Sequence, residues 1–253
     1  MTTPLPRHDG TIALVTGANK GIGREVARQL AASGMTVLLG ARSAERGQAA
    51  VAELIADGAG DVRFLHLDVT DEATVQAAAE AVERDFDGLH VLVNNAGISG
   101  ISRVTHPSIA DVTASDVRRA YETNVVGVIA VTQALLGPLC RARGRVVNMS
   151  SALGSFARVT GANGGAPSPH LLLPYSSAKA ALNMVTVLYA KALSEAGVSV
   201  NAVSPGYVAT DLNNQAGTRT VAEGARIVVD LATRPAGELP TGAFLSDSGD
   251  LPW

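Results

Sequence analysis

Short apolar runs recur along the chain at 11–16, 36–40, 62–67, 89–94, 145–150 and 198–204, with a weaker one at 243–246. They are rich in Val, Leu and Ile and each spans only a few residues, which predicts strands covered on both faces. Between them lie Ala-rich stretches with helical spacing. Ile22, Val26, Ala27 and Leu30 recur at steps of four, one and three, on one face of an amphipathic helix. The same reading predicts helices near 43–57, 71–86, 114–139, 174–196 and 219–233. Strand and helix in alternation mean repeated βαβ units. The expected fold is therefore α/β, a doubly wound parallel sheet of about seven strands with helices on both faces.

No long linker or composition shift divides the chain, so 11–253 reads as a single domain behind a flexible lead-in over 1–10. The stretch 152–174 breaks the alternation. It has the Gly and Pro density of a loop and no helix or strand period. A loop of that length is either functional or a surface flap. Leu171, Leu172 and Leu173 beside Pro174 suggest packing on something apolar.

Composition narrows the class. Hydrophobic residues at 47% supply a sizeable core, and aromatics at 4% leave it to Ala, Val, Leu and Ile. Twenty basic against 23 acidic residues give a net charge of −3, without the basic footprint that nucleic acid requires. Cys140 is the only cysteine, which excludes an internal disulfide and a four-thiolate zinc site; it reads as a small packed residue, and no metal centre is expected. The segment 123–140 carries no charge, yet Asn124, Thr132, Gln133, Gly137 and Pro138 interrupt it. A membrane span needs about 20 largely apolar residues, so a buried helix fits better. The opening MTTPLPRHDG lacks the apolar run of a signal peptide. The expectation is a soluble, cytoplasmic protein with neither membrane nor nucleic acid as partner.

The first strand runs into Thr16-Gly17-Ala18-Asn19-Lys20-Gly21-Ile22-Gly23, and a helix follows. Glycines at such a turn let main chain approach a diphosphate, and the helix N-terminus adds free N–H groups and the positive end of its dipole. The spacing is G-x-x-x-G-x-G, in a Rossmann-type setting. The end of the second strand discriminates cofactors, because an acid there would bind the ribose hydroxyls of NAD. Here the residues are Leu39-Gly40-Ala41-Arg42-Ser43. Arg42 offers a guanidinium to a 2′-phosphate and Lys20 a second charge, which favours NADP(H) unless both are merely solvated.

Tyr175-Ser176-Ser177-Ala178-Lys179 opens a helix, with Tyr175 and Lys179 one turn apart on one face. A free phenol titrates near 10, and an adjacent ammonium favours the phenolate. Ser150 and Ser151 end the fifth strand, and Asn94-Asn95-Ala96-Gly97 ends the fourth at the same sheet edge. In open α/β sheets that edge binds ligands.

These motifs, in order with Pro205-Gly206-x-x-x-Thr210, resemble the short-chain dehydrogenase/reductase family across about 11–247. TGANKGIGRE, GRVVNMSS, the lengthened segment before Tyr175 and the ending GAFLSDSGDLPW are similar to its carbonyl-reductase branch. The resemblance implies a small carbonyl substrate, with Tyr175 as proton donor and Ser151 holding the carbonyl oxygen, although Ser150 is an alternative. It implies that Lys179 lowers the tyrosine pKa and binds the nicotinamide ribose, and that Asn124 holds a relay water. Gly17, Asn19, Lys20, Gly21, Ile22, Gly23 and Arg42 would bind cofactor phosphates. Asp68 and Val69 would meet the adenine, Asn95, Ala96 and Gly97 the adenosine side, and Pro205, Gly206, Val208 and Thr210 the nicotinamide. Phe156, Leu171, Leu172, Leu173 and Tyr207 either line an apolar substrate pocket or pack in the core. The product would be an alcohol made from a ketone, aldehyde or quinone. The rivals are a catalytically inactive nucleotide-binding scaffold and a nucleotide-sugar epimerase or dehydratase, for which about 50 residues after the sixth strand leave little room. Relatives assemble through the helices at 114–139 and 174–196, or stay monomeric when the segment before the tyrosine is enlarged, so monomer and homodimer both stand.

Overall fold

The computed structural model describes residues 8–101, 109–161 and 172–253. Strands β1 (Ile12–Thr16), β2 (Thr36–Ala41), β3 (Val62–His66), β4 (Val91–Asn94), β5 (Arg145–Met149), β6 (Ser199–Val203), β7 (Phe244–Ser246) and β8 (Gly249–Asp250) make one sheet. Its order is β3-β2-β1-β4-β5-β6-β7-β8, parallel throughout except for the closing β7–β8 pair. The expected strands all form, within about two residues of their predicted ends. Only β8, two residues long, was too short to signal itself.

Helices α1 (Gly21–Ala32), α2 (Ala44–Ala56), α3 (Glu72–Asp85), α4 (Ala114–Tyr121), α5 (Gly127–Ala134), α6 (Leu136–Ala142), α7 (Phe156–Thr160), α8 (Leu173–Leu193) and α9 (Val221–Thr233) cover the sheet. Alternate strand residues feed two cores. Ala13, Val15, Val91 and Val93 pack with Val26 and Leu30 of α1, Leu54 of α2 and Val228 of α9. Leu14, Leu92 and Val200 pack on the other face with Val75 and Val82 of α3, Val131 of α5 and Leu139 of α6. Each fully buried aliphatic side chain contributes about 1.5–3 kcal/mol. Cys140 is half-buried against this second core, as its size predicts.

Two stretches differ from the periodicity. The helix predicted over 114–139 is broken. A π-helical turn, Glu122–Val126, separates α4 from α5, and the helix then bends by 62° before α6. Pro138 sits one turn after Ala134, and its ring cannot pass the carbonyl four residues back, so α5 stops there. Among the described residues no single helix is long and apolar enough to cross a membrane. The second stretch is 152–174, where a 3-10 turn (Ala152–Gly154) and the short α7 stand in place of a plain loop. Ser155 starts α7 by accepting the N–H of Arg158. The end of the chain holds this segment down. The Ser155 hydroxyl donates to Pro252 O at 2.6 Å, Ala157 N donates to Trp253 O at 3.1 Å, and the Trp253 ring stacks on Phe244. At the other end His8 N donates to Ser33 O, so 8–10 are tied to α1.

Candidate active site

The strand order reverses between β1 and β4, which opens a crevice beyond their carboxyl ends. Thr16 and Asn95 stitch its floor. The Thr16 Oγ1 accepts from the N–H groups of Asn95 and Ala96, both at 3.0 Å. Asn95 Nδ2 returns to Thr16 O at 2.9 Å and Gly17 O at 3.2 Å. Gly17 has φ +62, and a Cβ there would stand 2.9 Å from Ala96 Cα; one on Gly23 would stand 2.3 Å from Asn95 Nδ2. Only glycine permits this closeness. Ala18 is buried behind the loop, Asn19 is half-buried, and Ile22 packs on the first core.

The starts of the helices differ in a telling way. Ser43, Asp71, Thr113 and Thr220 cap α2, α3, α4 and α9 with their side chains. Lys20 begins α1 with no side-chain cap and no acid in the first turn, as is also the case at α5, α6 and α8, but only α1 opens directly from the glycine loop. The free N–H groups and the dipole of α1 are thus left for an anion, and the glycine cradle beside them fits a dinucleotide diphosphate.

Arg42 is exposed at the end of β2, and its guanidinium has no ion-pair partner among the described residues. Lys20 is engaged elsewhere. Its ammonium pairs with Asp211, in the segment after β6, at 2.7 Å. Asp68 is half-buried; its Oδ1 accepts from Thr70 N and Oγ1, and Val69 packs against Gly127.

The groups expected to react gather beyond β5. Lys179 is buried, with Nζ donating to Met149 O at 2.7 Å and lying 5.5 Å from the centroid of the Tyr175 ring. Ser151 is the side-chain hydroxyl that acts on the Tyr175 phenol, and its Oγ accepts from Leu153 N at 3.2 Å. Ser150 faces the other way, its buried hydroxyl donating to Asn183 Oδ1 at 2.5 Å. The structure brings Ser151, and not Ser150, to the tyrosine. Asn124, wholly buried in the π-helical turn, accepts from Ile98 N and donates to Ile98 O, both at 2.9 Å. One donor and one acceptor site of its amide thus go to the main chain that follows β4. Gly97 lies between it and the lysine, for a Cβ there would be 3.2 Å from Asn124 Oδ1 and 3.6 Å from Lys179 Nζ.

Burial governs both titrations. It pushes the Tyr175 phenol up to about 12, against an opposing pull from the Ser151 hydrogen bond. It brings the Lys179 ammonium down to about 8. In place of the lowered phenol that the neighbouring ammonium predicts, desolvation prevails. Tyr175 holds its proton throughout the neutral range.

After β6 the chain passes through buried Pro205, Gly206 at φ +81, exposed Tyr207 and buried Val208; Thr210 Cγ2 lies 3.8 Å from where a Cβ on Gly21 would be. Phe156 at 72% and Tyr207 at 48% exposure are not core residues, Leu173 is exposed, and Leu172 is half-buried. Leu171 lies outside the described residues. Sequence reasoning missed two groups here. Ser204 Oγ accepts from Ala152 N, beside Ser151, and Arg219 binds Pro205 O. Neither has a local pattern, although Arg219 directly precedes the Thr220-x-x-Glu223 capping box, a legible helix start.

Residues 11–220 match the sequence profile of the family described as short chain dehydrogenase. The chain belongs to that family. It is 32% identical over 246 residues to a short-chain dehydrogenase of Penicillium roqueforti, across 95% of each chain. The NADPH-bound carbonyl reductase from chicken fatty liver is similar in structure, with a TM-score of 0.79 at 30% identity over 97% of this chain and 100% of that one. A 3-oxoacyl-[acyl-carrier protein] reductase with bound NAD from Brucella melitensis gives 0.81 at 26% identity, over 96% and 92%. Short-chain dehydrogenases are oxidoreductases that use nicotinamide cofactors, and solved neighbours carry both NADP and NAD.

Proposed function

We propose that this short-chain dehydrogenase reduces a ketone, aldehyde or quinone to the alcohol with NADPH. The observation that carries the reading is the Tyr175 phenol beside Ser151, with the Lys179 ammonium 5.5 Å from its ring. A bound nicotinamide supplies the hydride. Ser151 hydrogen-bonds the carbonyl oxygen and fixes it for attack. Tyr175 gives its proton to that oxygen as negative charge builds there. With its pKa near 12 the phenol is fully protonated at neutral pH, and transfer runs downhill because an alkoxide is a stronger base than a phenolate. Lys179, held by Met149 O, places positive charge beside the phenolate left behind.

The cofactor choice rests on Arg42, a guanidinium without an acid partner among the described residues, where an NAD enzyme needs a carboxylate. Lys20 contributes to a 2′-phosphate only by leaving Asp211, so Arg42 carries most of the preference. An inactive scaffold would have no use for a lysine buried beside the Tyr175 ring. The test is absorbance at the nicotinamide band with NADPH and a panel of ketones, aldehydes and quinones. Loss of absorbance with at least one of them is expected. Tight NADPH binding with no turnover across the panel would instead support the inactive shell.

A further inference from the structure

The segment that leaves β6 at Ser204 and re-enters helix at α9 spans the crevice. Its start belongs with the reacting groups, since Ser204 Oγ accepts from Ala152 N at 3.1 Å. Its middle reaches the phosphate loop through the Lys20–Asp211 pair and the approach of Thr210 to Gly21. Its two limbs run side by side. Arg219 N donates to Tyr207 O at 3.0 Å and Ala209 N donates to Arg219 O at 2.8 Å, a short parallel bridge between Val208 and Arg219.

The Arg219 side chain then closes the base of this loop. Nη1 donates to Pro205 O at 2.6 Å, and Nη2 donates to Glu223 O at 3.0 Å and pairs with the carboxylate of Asp247 in the β7–β8 turn. One half-buried guanidinium joins the first residue of the loop, the first turn of α9 and the last corner of the sheet. A Cβ on Gly206 would lie 2.7 Å from Nη1, so main chain and guanidinium are in direct contact. A planar fork can serve these three acceptors from fixed directions, whereas an ammonium cannot.

We infer that Arg219 is a positioning residue. It fixes the main chain at Pro205 and Gly206, and so sets where the loop lies over the nicotinamide half of the cofactor in the proposed reduction, on which reading this inference rests. Its effect is greatest at the nicotinamide end, because the phosphate loop is held chiefly by Thr16 and Asn95 and meets this segment only at Lys20–Asp211 and Thr210–Gly21.

Calorimetric titration of NADPH and, separately, of 2′,5′-ADP tests this, since the second ligand carries the adenosine and 2′-phosphate but no nicotinamide. In Arg219→Met the NADPH Kd is expected to rise about tenfold, the scale of one charged hydrogen bond, with 2′,5′-ADP binding unchanged. Arg219→Lys should resemble Arg219→Met, for it restores charge without the fork. Asp247→Asn, which leaves the guanidinium in place, should give the same split in smaller measure and serves if the arginine variants fold poorly. Equal weakening of both ligands would make Arg219 a general support of the fold and overturn the assignment, as would unchanged NADPH affinity. Wild-type protein that binds neither ligand removes the proposed function and this role together. Wild-type binding that Arg219→Met preserves removes only the role of Arg219.

Discussion

Where β1 meets β4, the main chain is pinned by neighbours from two adjoining motifs: Thr16 Oγ1 takes two N–H groups, and Asn95 spans Thr16 O and Gly17 O. Where β5 meets β6, the chain leaves the sheet in longer segments, each tied at a few points to a later part of the chain. Ser155 answers to Pro252, Ala157 to Trp253, and Pro205 to Arg219. On the proposed reading, the contrast follows from what each side has to recognise. A diphosphate has one shape, so a short rigid cradle serves it, while a variable substrate is met by loops on a fixed frame. The three residues proposed to react sit on the boundary, with Tyr175 and Lys179 on α8 and Ser151 just after β5.

This division has measurable consequences. Tyr175→Phe acts on chemistry alone, so kcat should fall about 10²–10⁴-fold while NADPH affinity, read by quenching or calorimetry, stays unchanged. Weakened NADPH binding in that variant would show that the two sides are not independent. Arg42→Asp acts only on the other side. The ratio of kcat/KM for NADPH to that for NADH should drop about ten- to hundredfold, as expected for a charge-assisted pair replaced by repulsion. An unchanged ratio would remove Arg42 from the 2′-phosphate.

The smallest effect concerns pH. With Lys179 at about 8 and Tyr175 at about 12, the reduction rate should decline as pH rises through about 8, when the ammonium loses its charge while the phenol keeps its proton. Stability moves the other way. The folded Lys179 titrates below its unfolded value of 10.5, so between about 8 and 10.5 the unfolded chain binds more protons and this group's contribution rises with pH. Denaturant melts of wild type and Lys179→Met across that window should diverge in favour of wild type as pH increases. Parallel curves would refute the depressed lysine.

Much of the frame was legible in the sequence. Apolar runs with Ala-rich helices between them gave strands β1–β7 and the crevice edge, because buried parallel strands and amphipathic helices leave periodic signatures. The glycine loop was equally plain, down to the missing acid at Arg42. What escaped were features made by distant partners. The π-helical turn at Asn124 is accompanied by bonds to Ile98, 26 residues away. The choice between Ser150 and Ser151 depended on Asn183, which no local pattern reveals. Lys20 read as a free charge because Asp211 lies 191 positions along the chain. The direction of the tyrosine shift was missed for a related reason: spacing shows a neighbouring charge but not the degree of desolvation.

Trp253, stacked on Phe244 with its carbonyl on Ala157, is the only indole in the protein. Its ultraviolet emission is therefore a built-in optical gauge for one corner of the molecule. Any event that unseats the segment following Ser151 registers there as a change in colour or intensity, without a dye and without turnover.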